Sequence, residues 1–530
     1  MHVCIRYSTE RMRRNLFTHA WQLRRSWFLI AAIIGLAGTR GLAQVTAPET
    51  LAPLPSAESV IQRNTDPFAG SIPQGTVSPE PIDLSLSDAL DRGLKYNLGI
   101  ILSDQTTAEA RAARIRSLSE IIPNINGSFG EEIQRLNLQA FGFSFPGIPR
   151  SVGPFGLTTT QATGNWNAVN FASIDRYKAA GADVKAAQFN YNDARDTVVL
   201  SVGANYLLVI AQESRLAAAQ AQVQTAQALY DLARDQEAAG LAPNIDTLRA
   251  RVQLQAQQES LIQVENDLEK QRIALARVVG LPVRQKFRLT NRVPYAPVPE
   301  IAVTGAYDLA LATRSDYKAA LSQVQAAELR RSAAWKGRLP SLDLSGTYGV
   351  LGYHLDDLAP NYTAAATLNI PIFQGGKVRA DVTEADAVLK ERQSQADNLK
   401  ARIEQEVEDS ILDLTAAAKQ VEVAKTGLDF AQQALVQSQD RFAAGVTNNV
   451  EVIQAQQQLA SANDTYIASL FGHNIAKVLL ARSVGNAEQL VKQYLAGDAT
   501  LPPRVVAPGA QTPPAQSNNP QPPNPPQPKQ

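Results

Sequence analysis

Leu342-Asp343-Leu344-Ser345-Gly346-Thr347-Tyr348-Gly349-Val350 is the stretch whose reading decides the fold. Leu342, Leu344, Gly346, Tyr348 and Val350 fall on one face of an extended chain, and Asp343, Ser345 and Thr347 on the other. A second run follows, in which Tyr362, Ala364, Ala366, Leu368 and Ile370 alternate with Thr363, Thr367 and Asn369. The spacing predicts strands over 340–353 and 361–373, each long enough for the roughly 9–11 residues that cross a bilayer as a tilted strand. A half-buried sheet in a soluble protein alternates in the same way, so the strands alone leave the compartment open.

Working outward, the chain repeats itself. Ile122-Pro123-Asn124-Ile125 recurs as Leu339-Pro340-Ser341-Leu342, 217 residues later. Ala238-Ala239-Gly240 recurs as Ala443-Ala444-Gly445, and Ala276-Arg277-Val278-Val279-Gly280 as Ala481-Arg482-Ser483-Val484-Gly485, both 205 residues later. Two copies therefore span 81–282 and 307–485, joined by a linker, 283–306. The drop of 12 in the offset places an insertion in the first copy, between Gly130 and Thr160. Weaker strand patterns, Ile122–Gly130 and Gln161–Phe171, flank it. Phe141, Phe143, Phe145 and Phe155, set among Gly and Pro, mark the insertion as an ordered loop.

Each copy reads helix, strand, loop, strand, very long helix, tight turn, helix. No proline falls between Pro154 and Pro243 or between Pro371 and Pro502. The stretches 172–239 and 377–444 are rich in Ala, Gln, Leu, Val, Asp and Lys, and each would extend roughly 100 Å as a helix. Leu216, Ala219, Val223, Ala226, Tyr230 and Ala233 step by alternate threes and fours, as do Val421, Ala424, Leu428, Ala431, Leu435 and Ser438. Leu254, Leu261, Leu268 and Leu275 recur every seven residues. These heptads predict antiparallel coiled-coil pairs folded back at Gly240 and Gly445. Alanine on the seam and glutamine on other faces suit a wall lining water, and suit a plain structural coiled coil equally.

The ends of the chain read differently. Residues 1–43 hold seven Arg and one acid, with an apolar run Trp27–Leu36 ending in Gly41-Leu42-Ala43. That is the layout of an export signal, and the run is shorter than the ~20 residues of a spanning helix. Cys4, the single cysteine, lies ahead of the apolar run, where it can serve neither as a lipid-anchored residue nor in a disulfide of the processed chain. Residues 44–80 read as a flexible lead-in, and 486–530 as a C-terminal segment whose Pro-rich tail starts at 501. Without its first 43 residues the chain carries 43 basic and 49 acidic groups, a charge that argues against nucleic acid.

Nothing assembles a catalytic or cofactor site. Gly375-Gly376-Lys377 lacks the Walker pattern, because Pro371 and Val378 stand where it requires Gly and Ser or Thr. Beyond the first 43 residues the only histidines are His354, at a hairpin apex, and His473, the second-copy counterpart of Leu268 in the heptad. No spaced His/Asp/Glu cluster with metal-ligand character is present, so no metal, cofactor or enzymatic role is expected. A periplasmic coiled-coil tether would explain the helices but not two hairpins of membrane length, and a periplasmic hydrolase lacks its constellation.

Taken together, the chain resembles the TolC-like outer-membrane efflux family over about 81–485. The matching motifs are Leu84-Ser85-Leu86-Ser87-Asp88-Ala89-Leu90, the helix-to-strand Pro123 and Pro340, the strand exit Pro371-Ile372-Phe373-Gln374-Gly375-Gly376-Lys377, the turn Phe442-Ala443-Ala444-Gly445, and the closing Val279-Gly280 and Val484-Gly485. The resemblance implies a mostly α chain with a transmembrane β part. It implies a homotrimer whose subunits each give four strands to a 12-stranded β-barrel in outer-membrane lipid, continued by a long antiparallel coiled-coil α-barrel in the periplasm. The implied function is a passive exit channel of a tripartite efflux or type I secretion system, opened at its periplasmic end on docking to an adaptor (membrane fusion protein) and an inner-membrane pump. It places Gly240, Leu241, Gly445 and Val446 at the adaptor-docking turns. Asp246 and Glu451, six residues past the two turn glycines, become gate candidates with Arg249 and Arg441 as salt-bridge partners. An acid in the first turn of a helix is also a plain macrodipole cap, and Gln454 stands where some family members carry a second acid. Tyr348, Tyr353 and Tyr362 are expected near strand ends, as an interfacial belt.

Overall fold

The computed structural model describes residues 67–142, 147, 149–291, 295–296, 303–353 and 355–496. The export signal, residues 44–66 of the lead-in, His354, Phe143, Phe145 and the Pro-rich tail lie outside the described residues.

The repeat governs the architecture. The first copy comprises α1 (Leu86–Tyr96), α2 (Leu98–Ser119), strands β2 (Asn124–Asn137) and β3 (Ser151–Val169), α3 (Phe171–Ala238) and α4 (Asn244–Val279). The second comprises α5 (Val303–Thr313), α6 (Ser315–Lys336), β5 (Ser341–Gly352), β6 (Leu358–Asn369), α7 (Lys377–Ala443) and α8 (Asn449–Val484). Helix lengths match across the copies: 11, 22, 68 and 36 residues against 11, 22, 67 and 36. A last helix, α9 (Ala487–Ala496), closes the described chain.

Each long helix has the same company. The first part of α3 lies against α2 and α6 and the rest against α4, while α7 lies against α6 and then α8. The predicted seam is the buried one. Ala219, Ala226, Ala233, Val421, Ala424, Leu435 and Ser438 are buried, and the intervening seam positions are half-buried. Ser438 is tolerated there because its hydroxyl donates to the Ala434 carbonyl at 2.8 Å. Of the leucine heptad, Leu254, Leu268 and Leu275 are buried and Leu261 is half-buried.

Both hairpins turn by one device. Gly240 and Gly445 take φ of 72° and 71°, a region open to glycine at no steric cost. The next N–H in each turn, from Leu241 or Val446, donates to the carbonyl of Gln236 or Arg441 at 2.8 and 2.9 Å, which is Schellman-type closure.

The main core sits midway along α3. Val198, Val199, Val202, Leu207, Leu208 and Val209 pack there with Leu90 of α1, Leu275 of α4 and Val478 of α8. This is why α3, the one described helix long and apolar enough to span a membrane, is 72% buried across its apolar window: its apolar stretch is core. Tyr206 donates to the Leu84 carbonyl at 3.1 Å, and burial pushes its phenol up to about 12.

Several expectations need correction. Residues 67–80 are docked, not a flexible lead-in. Phe68 packs on the core, the Ile72 N–H donates to the Tyr96 carbonyl at 2.9 Å, and the Gln74 N–H donates to the Gly280 carbonyl at 3.0 Å. The 283–306 linker carries β4 (Phe287–Leu289), which pairs in parallel with β1 (Ile82–Leu84), and its last residues already belong to α5. Most of the first-copy insertion is strand, with a short 3₁₀ turn at Leu138–Phe141. Backbone pairing continues through Glu131, Glu132 and Gln134, where solvated polar side chains need no apolar face. The opening helix of each copy is also broken in two, at Asn97 and at Arg314, 217 residues apart. Asn97 caps α2 through the Gly99 N–H at 2.8 Å and donates to the Phe68 carbonyl at 3.0 Å.

Arg314 is buried and makes a two-pronged contact with Asp316 (3.1 and 2.7 Å), a bond to Glu406 at 2.6 Å and one to the Ser483 carbonyl at 3.3 Å. Burial opposes ionisation of Asp316, but the hydrogen bonds and charge of Arg314 outweigh it and hold the carboxyl below the usual range. A depressed folded-state pKa contributes stability that is full above the ordinary value of about 3.9 and is lost as pH falls through the folded value. Asp316→Asn should therefore lower stability at pH 7 by about 1.5–3 kcal/mol. In a thermal-melt series the gap from wild type should close as pH drops below about 4. A gap unchanged between pH 7 and pH 3 would show that the contribution is not ionic.

Candidate functional site

Four strands form one antiparallel sheet in the order β2-β3-β5-β6. Side chains of directly paired residues project to the same side, so the register tests whether the alternation read in one strand holds across the sheet. Gly127, Ala162, Tyr348 and Tyr362 form one row, Trp166, Leu344 and Ala366 another, and Phe129, Thr160, Val350 and Pro360 a third. The opposite face carries Asn126, Thr163, Thr347 and Thr363, then Asn124, Asn165 and Ser345, then Asn167, Asp343 and Thr367. From Asn124 to Phe129 and across the rows paired with them one face is mainly apolar and the other mainly polar; further along, the division lapses, with Glu131 and Thr158 on the first face and Leu157, Leu351 and Ala359 on the second. Ile125, Phe129 and Ile133 on the apolar face are 66–76% exposed, so nothing among the described residues covers them. A water-soluble tether would leave this face in solvent at a cost of about 25 cal/mol per Å².

The aromatic belt differs from expectation. Tyr348 and Tyr362 are cross-strand partners inside β5 and β6, four or more residues from the hairpin end. Only Tyr353 lies past a strand, where its ring meets Phe155 edge-on with centroids 5.7 Å apart. Period-two patterning gives the face of a residue but not its height along the strand.

The helical turns lie at the far end of α3 and α7 from the sheet. Leu241 and Val446 at their tips are 81% and 69% exposed. Asp246 and Glu451 both occupy the third position of their helices, yet their surroundings differ. The Asp246 side chain is 10% exposed, with Arg249 3.4 Å away. The Glu451 side chain is 38% exposed, accepts from the Thr447 hydroxyl, and lies 3.4 Å from Arg441. The sequence pairs are thus brought together, but only Glu451 is open to solvent. Asn449, fully buried, ties the two hairpins by donating to the Asp246 carbonyl at 3.0 Å. Sequence reasoning missed it. The available signal was Asn244 at the same place in the first copy, where it donates to Glu237 of its own hairpin at 2.6 Å.

Elsewhere, His473 is buried against the Tyr295 ring, with its Nε2 3.3 Å from the Ala296 carbonyl. Burial, and secondarily the charge of Lys477, lower its pKa. Burial alone pushes Lys477 down to about 8. Among the described residues no three His, Cys, Asp or Glu side chains converge as a metal site would require.

Residues 103–281 and 306–486 match the model of the outer membrane efflux protein family. The chain belongs to that family. The pyoverdine export outer membrane protein OpmQ of Pseudomonas aeruginosa is 24% identical over 423 residues, covering 78% of this chain and 87% of that protein. Outer membrane protein TolC of Escherichia coli is 23% identical over 335 residues, 60% of this chain and 67% of that one. Among solved structures, the Campylobacter jejuni CmeC outer membrane channel superposes with a TM-score of 0.67 at 16% identity, over 82% of this chain and 95% of that one. The outer-membrane channel OprN gives 0.67 at 18% identity, over 76% and 89%. At these identities the structural matches are likenesses of fold. This efflux protein is accordingly an outer-membrane exit channel that extends into the periplasm, and its relatives are channels, not enzymes.

The tip geometry sets a ranking. Asn449→Ala removes a buried bond between hairpins and should raise amide hydrogen exchange at 240–250 and 445–455 by roughly 5- to 100-fold, the equivalent of about 1–3 kcal/mol. Glu451→Gln breaks an exposed pair and should raise it by less than about fivefold. The reverse order would show that the ion pair, not Asn449, holds the tip.

Proposed function

We propose that three copies of this chain close one 12-stranded barrel in the outer membrane, with the apolar face toward lipid and the polar face lining water. The observation that carries the reading is the division of the sheet into two faces over the rows from Asn124 to Phe129, with β2 and β6 each paired on one side only among the described residues. In lipid every backbone polar group needs a partner, so a four-stranded sheet with two open edges has to be completed by other copies. The helices then continue as a coiled-coil α-barrel and deliver cargo passively to the barrel.

The periplasmic tips supply the controlled end. Leu241 and Val446 offer exposed apolar contacts beside Gly240 and Gly445, chemistry that an adaptor protein of a tripartite pump or secretion system can engage. Glu451 and its Arg441 partner form the gate contact, and three copies set a carboxylate ring at the mouth. Asp246 with Arg249 acts beneath it by fixing the hairpin. A ring of acid side chains in a narrow pore favours cations.

Native mass spectrometry of the detergent-extracted channel should give three times the protomer mass, and the same material should conduct in planar bilayers. Glu451→Gln should reduce cation selectivity, whereas Asp246→Asn should change gating noise and thermal stability with selectivity kept. A monomeric, non-conducting particle would overturn the channel assembly. Unchanged selectivity in Glu451→Gln would leave that residue a helix cap.

A further inference from the structure

The two copies leave the sheet differently. In the first, a single residue, Asn170, separates β3 from α3, and its side chain caps the helix through the Ala172 and Ser173 N–H groups, both at 3.1 Å. In the second, seven residues (370–376) separate β6 from α7. The fold does not need that length, since the first copy makes the same passage without it.

The extra segment carries Ile372 and Phe373, 95% and 89% exposed. Beside them is a surface hollow of about 420 Å³, whose lining includes Arg338, Arg379, Val378 and Val382, and no carboxylate. Arg338 lies over the Trp335 ring, 4.4 Å from its centroid, and donates to the Trp335 carbonyl at 3.2 Å. It makes no ion pair, and the Arg379 side chain makes neither ion pair nor hydrogen bond among the described residues. Other arginines close by are neutralised, Arg330 by Asp183 and Arg331 by Asp386. Two cations are thus left uncompensated next to bare apolar side chains.

Position says what meets them. Leu368 belongs to the apolar face of β6, Ile370 stands at the next even position, and the hollow opens where that face ends and the periplasmic helices begin. With the apolar face toward lipid, as proposed above, headgroups of the periplasm-side leaflet would lie at this boundary.

We propose that this junction is a binding site for an anionic phospholipid, with Arg338 and Arg379 on the headgroup phosphate and Ile372 and Phe373 against the upper acyl chain. Guanidinium suits phosphate through its planar fork of donors. The proposal rests on the lipid-facing reading of the sheet, and its test separates the two.

Trp335 is a built-in reporter. The exported protein carrying Trp166→Phe is reconstituted into phosphatidylcholine vesicles containing brominated phosphatidylglycerol or, in parallel, brominated phosphatidylcholine. Half-maximal quenching should need a several-fold lower fraction of the brominated anionic lipid. The preference should fall roughly fivefold for each arginine lost in Arg338→Gln and Arg379→Gln, and should persist in the Arg→Lys pair, which keeps the charge. Equal quenching by both lipids in the parent protein would overturn the headgroup site while leaving the sheet's lipid face intact. A preference retained in the double Gln variant would overturn it too. No quenching by either lipid would mean that another copy of the chain covers the segment, and would also sink the proposal.

Discussion

Backbone hydrogen bonding in a medium without water is the constraint on which the rest of the structure depends. A sheet of β2, β3, β5 and β6 satisfies its interior N–H and C=O groups and leaves one row at each edge. Its faces are committed by a period of two: Tyr348 and Tyr362 on one side, Thr347 and Thr363 on the other. Slipping any strand by one residue would carry threonine and asparagine to the apolar face. Register and face therefore fix one another, and the open edges are what the proposed closure by other copies would pair.

The helices answer a different constraint. A passage extending roughly 100 Å from the sheet needs a wall with many small seam residues and few large ones. Ala219, Ala226 and Ala233 supply close contact along α3, and the larger side chains are gathered at one level, around Val202, Tyr206 and Val478. Residues 67–75 bond to Tyr96, Arg277 and Gly280 near that level, and the β1–β4 pair follows. Towards the tip the two hairpins pack on one another, Leu229, Ala233 and Ala250 of the first against Leu435, Phe442 and Val452 of the second, and Asn449 adds a buried hydrogen bond.

Periodic features were the legible ones. The long helices, predicted over 172–239 and 377–444, fall at Phe171–Ala238 and Lys377–Ala443, because apolar steps of three and four, absence of proline and a turn glycine all agree. The second hairpin was plain except at its end: Ser341–Gly352 falls within 340–353, but the strand read over 361–373 is Leu358–Asn369, since alternation at Ile370 and Ile372 continues past the last backbone pair, Ser341 with Asn369. Less was visible wherever one residue acts through a distant partner. Asn97 and Arg314 break helices because of what their side chains reach, Phe68 in one case and Asp316 with Glu406 in the other, and no local pattern announces that. The lead-in looked flexible because it is rich in Pro, Ser and Thr, yet Phe68 and main-chain bonds to Tyr96 and Gly280 dock its last part. At the tip, sequence symmetry equated Asp246 with Glu451, but packing of one hairpin on the other buries the first and leaves the second exposed.

The division of the sheet into a lipid face and a water face is the central claim, and single cysteines along β5 test it directly. Spin labels at Leu344, Gly346 and Tyr348 and at Ser345 and Thr347, in the channel reconstituted into bilayers, report collisions with oxygen, which concentrates in lipid, and with a water-soluble nickel chelate. The account predicts oxygen access at the even positions and chelate access at the odd ones, alternating residue by residue. Uniform chelate access along the strand, or the opposite alternation, would contradict it.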